Sequence, residues 1–327
     1  MTGATSINSM KSFNDLSQAD LFEYFDLKPD IEPLKLEIAE KCMVTLDCLR
    51  LDRVHPFVSG NKWYKLKHHI ISAQSAEKSH LLSFGGAYSN HIHAMAYAAK
   101  SLGLKSTGVI RGEPGNKLTP TLQDCVDWGM NLQWLNRKDY GDIASSQSIE
   151  EYSSRYPDVW VIPEGGAGEQ GVSGIQALFS DLYHAGKLNY DLLACAVGSG
   201  ATLAGIAQSN IGTAECWGFS ALKGAFDLER RVEKQLEGSS KVNPWRICHD
   251  YHFGGFAKVN NRLTDFISDV YQTHGLLLDP VYTGKLLYGL SELLHQGRIQ
   301  SGVRILMVHT GGLQGWRGFG DKSPVTE

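Results

Sequence analysis

Ser59-Gly60-Asn61-Lys62-Trp63-Tyr64-Lys65-Leu66 is the stretch around which the rest of the chain is organised. A loop of small residues delivers a lysine, and a helical run, Tyr64–Ser75, follows at once. A lysine held at such a mouth can be stripped of water, which lowers its pKa and frees its amine for carbonyl chemistry. Alone the pattern is weak, because lysines near helix starts are mostly solvated. Its weight comes from glycine-rich turns elsewhere, each placed after an apolar, strand-like run.

Upstream, Val44–Leu51 reads as a strand that ends in Asp52-Arg53 and the turn at His55-Pro56. Downstream, a strand at His80–Phe84 stops at Gly85-Gly86. It continues through Ala87-Tyr88-Ser89-Asn90-His91 into a helix marked by Ile92, Met95, Ala96, Ala99 and Leu102. Ser106–Arg111 follows as a β-branched strand, which completes a βαβ unit with a glycine turn at the carboxyl end of its strand. A helix near Thr121–Gly129 and strands at Asn131–Leu135 and Val159–Ile162 come next. Pro163-Glu164-Gly165-Gly166-Ala167-Gly168 then punctuates the chain as its strongest boundary.

Beyond that boundary Val172–His184 is an amphipathic helix, and Leu192–Val197 is a short, wholly apolar strand. Further strands are expected at Cys216–Leu222, Arg246–Phe253 and Arg304–His309. The first thirty residues read as polar and then amphipathic, a short surface helix. Strand–helix alternation throughout means an α/β fold with a mainly parallel sheet in each of two domains.

Composition narrows the function. The 327 residues suffice for two domains, and 42% hydrophobic and 20% charged residues with a net charge of −4 describe an ordinary soluble protein. No basic excess points to nucleic acid, and no apolar run is long enough to span a bilayer. The six cysteines are scattered with no CxxC pair, which favours a reduced, cytoplasmic setting. The N-terminal stretch has no apolar core flanked by basic residues, so no secretory signal is expected in it.

Gly198-Ser199-Gly200-Ala201-Thr202 leaves an apolar strand and opens a helix. Its backbone N–H groups, two hydroxyls and the helix dipole suit a phosphate. A plain strand-to-helix turn fits these residues equally well. They are neither a P-loop nor a dinucleotide fingerprint, since no Gly-Lys-Ser/Thr follows and the glycines fall at 198, 200 and 205. Ser89 is either a helix cap or, with Asn90, part of a cradle for a carboxylate or phenolate oxygen. His91 and His93 are two apart and point different ways on a helix, so no metal site is read here. Asp279-Pro280-Val281-Tyr282-Thr283-Gly284-Lys285 is a rigid turn opening another helix, and Val308-His309-Thr310-Gly311-Gly312 repeats the strand-then-glycine pattern. Jointly the set suits one phosphorylated aldehyde cofactor.

In order, GNKWYKL, SFGGAYSNH, PEGGAGEQG, VGSGATLAG, LDPVYTGK and HTGG resemble the pyridoxal-phosphate family of 1-aminocyclopropane-1-carboxylate deaminase and D-cysteine desulfhydrase, over nearly all the chain after Pro33. The resemblance implies fold type II, like the tryptophan synthase β chain, with pyridoxal 5'-phosphate as cofactor. Residues 1–65 and 166–327 would form the large domain and 66–165 the small one. It implies Lys62, not Lys65, as the lysine that carries the cofactor, with Ser89 and Tyr282 as further catalytic residues. The cofactor would meet Asn61, Asn90, residues 198–202 (Gly198, Ser199, Gly200, Ala201, Thr202), Thr283 and Thr310. Ser89, Asn90, His91 and Phe256 would face a small amino-acid substrate, in a homodimer.

Three departures bear on the substrate. The branch's deaminases carry a glutamate after Pro-Val-Tyr, whereas this chain has Thr283, as the desulfhydrases do. A carboxylate keeps the pyridine nitrogen protonated and strengthens the electron sink that ring opening requires; loss of a β-thiolate needs less. Tyr88 stands where the family has glutamine, and Phe256 where a second active-site tyrosine is expected. D-cysteine β-elimination is therefore the leading expectation and deamination of the cyclopropane amino acid the second. A pyridoxal-phosphate protein without catalysis and a nucleotide-binding α/β protein are the remaining alternatives. The latter is disfavoured by the lack of an acidic residue at the end of the strand that follows the phosphate-type loop.

Overall fold

The computed structural model describes residues 28–143 and 146–324; the expected N-terminal helix lies largely outside them. Two sheets organise the chain. The larger has strand order β1-β2-β10-β7-β8-β9: β1 (Ile31–Pro33), β2 (Thr45–Arg50), β7 (Leu192–Val197), β8 (Glu215–Ser220), β9 (Trp245–Cys248) and β10 (Arg304–His309). Only β1 runs antiparallel. The smaller sheet is wholly parallel, with order β5-β4-β3-β6: β3 (His80–Gly85), β4 (Lys105–Arg111), β5 (Asn131–Leu135) and β6 (Val159–Ile162).

The apolar runs form strands buried on both faces, as parallel sheets covered by helices demand. In β7, Leu193, Cys195 and Val197 enter one core, and Leu192, Ala194 and Ala196 enter another. In β10, Leu306 and Val308 join the first core, and Ile305 and Met307 the second. The period of two thus splits one continuous apolar string between two cores. Leu82, Phe84 and Val109 build a third core on the outer face of the small sheet. All six cysteines are free thiols, and burial pushes Cys48, Cys125 and Cys195 up to about 12.

Several sequence boundaries shift. The strand expected at Arg246–Phe253 stops at Cys248, and Phe253 has a positive φ of 52°, which no strand admits. The lysine helix is Asn61–Ser75, so Lys62 lies in its first turn and not in the loop ahead of it. A domain cut between residues 65 and 66 would fall inside that helix. The helix packs closely on the helix Glu169–His184: a Cβ on Gly174 would lie 2.0 Å from the Tyr64 carbonyl oxygen, a contact only glycine permits. The strands of the small sheet run from residue 80 to 162.

Candidate active site

Lys62 is positioned by backbone contacts before its side chain is considered. Gly60 precedes the helix with φ 71°, and a Cβ there would fall 1.9 Å from the carbonyl oxygen of Thr310, just past β10. That carbonyl also accepts from the Asn61 amide at 3.3 Å. The buried Asn61 side chain donates from Nδ2 to Thr202 Oγ1 at 2.8 Å, tying the lysine turn to the loop after β7. Lys62 Nζ donates to the Gly165 carbonyl at 3.5 Å, in the glycine turn after β6. Burial lowers its pKa to about 8, against the opposing pull of the Glu164 and Asp279 charges. Lys65 is buried more completely and is pushed well below the usual lysine range by desolvation and then by Lys62.

Across the cleft, Ser89 caps the helix Asn90–Ser101 and accepts from the Ile92 amide at 3.3 Å, which leaves its own proton available. Asn90 Oδ1 accepts from Gln314 Nε2 at 2.5 Å. Gln314 also donates to the Tyr88 carbonyl at 3.4 Å and accepts from Thr121 Oγ1 at 2.5 Å. The short helix Leu313–Gly318 thereby braces the loop that follows β3 in the small sheet. His91 differs from expectation. Its ring is buried, with Nε2 2.9 Å from Ser83 Oγ and Nδ1 without a partner. It faces the glycine turn at Gly166, where a Cβ would lie 3.2 Å from its Cε1, so it backs the lysine and does not line the open cleft. Tyr88 is 42% exposed and lies against Gly318.

After β7 the loop turns at Gly200 with φ 88°, where a Cβ would sit 2.8 Å from Val232 Cγ2. The amides of Ser199, Gly200, Ala201 and Thr202 donate to no backbone carbonyl among the described residues. Gly198 faces the Tyr282 ring; its Cβ would be 3.3 Å from Cε1. Burial first, and then the Asp279 and Glu164 charges, push the Tyr282 phenol well up, so it stays protonated at neutral pH. Phe256 is 47% exposed with its ring centroid 6.1 Å from that of Tyr282.

Thr283 is fully buried and already committed. Its hydroxyl donates to Asp279 Oδ2 at 2.8 Å and accepts from the Asp279 amide at 2.9 Å. Asp279 in turn accepts the amides of Val281 and Tyr282 at 2.9 Å and that of Thr283 at 2.7 Å. The sequence reading passed over Asp279, Glu164 and Gln314. Asp279 could have been found as the acidic residue that opens a helix-initiating turn; nothing local marks the other two.

These residues fit the cofactor that the motifs imply. A phosphate needs several convergent donors, and four unpaired amides beside two hydroxyls supply them. An aldehyde needs a neutral amine, which desolvation of Lys62 favours. Among the described residues no cluster of His, Cys, Asp and Glu could hold a metal ion, and no helix is long and apolar enough to cross a membrane.

Comparison with known proteins agrees. The family described as "Pyridoxal-phosphate dependent enzyme" matches residues 48–311. A putative 1-aminocyclopropane-1-carboxylate deaminase of Pyrococcus horikoshii is 30% identical over 275 residues, covering 81% of this chain and 83% of that protein. A bifunctional D-cysteine desulfhydrase/1-aminocyclopropane-1-carboxylate deaminase of Arabidopsis thaliana, a mitochondrial protein, is 30% identical over 284 residues, covering 79% of this chain and 70% of that protein. The crystal structure of an ACC deaminase homologue superposes with a TM-score of 0.78 at 26% identity, over 93% of this chain and 97% of that one. The nucleotide-binding alternative is set aside.

Proposed function

From the premise that this chain belongs to the pyridoxal-phosphate dependent enzymes, in the branch of 1-aminocyclopropane-1-carboxylate deaminases and D-cysteine desulfhydrases, we propose that it catalyses β-elimination of D-cysteine. The products are pyruvate, ammonia and hydrogen sulfide. The observation that carries this reading is Thr283, a neutral hydroxyl whose hydrogen bond is donated to Asp279. It offers a lone pair where the branch's deaminases offer a charge. A weaker hold on a cationic ring nitrogen suits expulsion of a thiolate better than opening of a strained carbon ring.

When bound, pyridoxal 5'-phosphate supplies an electron sink next to the substrate Cα. Lys62 holds it, and the Lys62 amine takes the Cα proton. The amides of residues 199–202, with the Ser199 and Thr202 hydroxyls, hold the phosphate, and Asn61 orients Thr202. Ser89 and Asn90 hold the substrate carboxylate, Asn90 being fixed by Gln314. As the Cβ–S bond breaks, sulfur keeps the bonding pair, and Tyr282, a phenol held protonated by burial, would give it a proton. Water then replaces nitrogen on the carbon skeleton.

The second reading, deamination of 1-aminocyclopropane-1-carboxylate, draws on the names of the relatives. Comparing kcat/KM for the two substrates in wild type and Thr283→Glu separates them. Wild type should favour D-cysteine at least tenfold, and the variant should narrow the ratio. A wild type that prefers the cyclopropane substrate refutes the proposal. No 2-oxo acid from any D- or L-amino acid would leave a protein that binds the cofactor without catalysis.

A further inference from the structure

A cavity of about 600 Å³ opens beside the catalytic loop, at the carboxyl edge of the small sheet. Ala87 forms one wall, held by Thr119, whose hydroxyl donates to the Ala87 carbonyl at 2.5 Å. Four charged side chains stand among the small and apolar residues of the rest of the lining. Arg111 ends β4, Lys117 sits in the loop that follows, and Arg137 comes just after β5. Glu113 is the one carboxylate in the lining, and Trp134 supplies a flat apolar side. None of the three cations forms an ion pair among the described residues. On a chain of net charge −4, three unpaired cations around one hollow are a concentration that stability alone does not call for.

Arg111 is the lining cation that approaches the loop after β3. A Cβ on Gly86 would lie 3.7 Å from its Nη2, and its Cζ stands 5.7 Å from the centroid of the Tyr140 ring. Its charge also reaches Tyr282 on the other side of the cleft and works against the upward push on that phenol. The guanidinium thus lies beside the loop that follows β3, at Gly86.

We propose that this cavity receives the far end of the substrate and selects a negatively charged group there, an inference that rests on the β-elimination reading above. The preferred substrate class is then an amino acid with an anionic β-substituent, of which the cysteine thiolate is the smallest. A charged substituent gives up water on entering, and a guanidinium with two further cations compensates it. A cyclopropane substrate has nothing to place in the hollow.

Equilibrium binding tests this without turnover. The enzyme with its cofactor is titrated with DL-aspartate and with DL-alanine, followed by the visible band of the cofactor and by calorimetry; the racemates cover either handedness. Wild type should bind aspartate at least tenfold more tightly than alanine. Arg111→Gln should bring that ratio to within threefold of unity, and Arg111→Lys should keep part of the preference. Equal affinities in wild type, binding of neither amino acid, or a ratio untouched in Arg111→Gln would each overturn the subsite. If D-cysteine is still turned over in any of those cases, the subsite alone falls. A protein that holds no cofactor removes the parent reading first.

Discussion

The most exposed consequence of the site is the pH at which Lys62 becomes a nucleophile. Burial carries this amine from its ordinary 10.5 to about 8. At pH 7 about one amine in ten is then neutral, against about one in three thousand for an exposed lysine. Capture of pyridoxal 5'-phosphate by the cofactor-free protein requires the neutral amine. Its rate should climb about tenfold per pH unit up to pH 8 and flatten above it. Stopped-flow absorbance across pH 6–10 reads this directly, with Lys62→Ala as the background for surface lysines. Glu164 and Asp279 oppose the shift, so Glu164→Gln should move the break to lower pH. A rate that keeps rising tenfold per unit to pH 10 would refute the assignment, since it would mean that the reacting amine is solvated.

Three other outcomes are expected. Ser199→Ala with Thr202→Val should weaken cofactor retention, each lost hydrogen bond to phosphate costing about 1.5–3 kcal/mol. A dissociation constant equal to that of wild type would assign the phosphate elsewhere. Gly60→Ala combines a left-handed backbone with a Cβ only 1.9 Å from the Thr310 carbonyl oxygen, so it should cost at least about 2 kcal/mol in urea unfolding; an unchanged midpoint would contradict that geometry. Gln314→Ala frees Asn90 and should raise KM for D-cysteine more than it lowers kcat; the reverse split would place Gln314 in the chemistry instead.

The sequence was most legible where physics is local. β5, β6, β7 and β10 have the bounds their apolar runs suggest, because glycine, proline or polar residues end each run abruptly. The three-residue edge strand β1 was missed, since so short a piece has no period to detect. The lysine helix was read as starting three residues late. Its N-terminus is set by Gly60 and the Thr310 carbonyl, with no capping side chain to mark it. For the candidate site, residues in glycine turns were singled out as a group. Gln314 and Arg111 were not, because their meaning lies in partners brought close only by the fold. For a related reason, nothing in the local sequence tells that the His91 ring turns inward to Ser83.

The contact between Gly60 and Thr310 also bears on how the molecule comes into being. The turn that aims Lys62 leans on a carbonyl 250 residues further along the chain, and its neighbour Asn61 bonds to a residue 141 positions away. The central strand of the large sheet, β10, is among the last to be synthesised, yet β2 and β7 both pair with it. Until that strand leaves the ribosome, the large sheet lacks its middle and the lysine has no fixed direction. The small sheet, closed between residues 80 and 162, can form earlier from contacts much nearer in sequence. The small sheet can therefore form first, and cofactor capture comes after translation of β10.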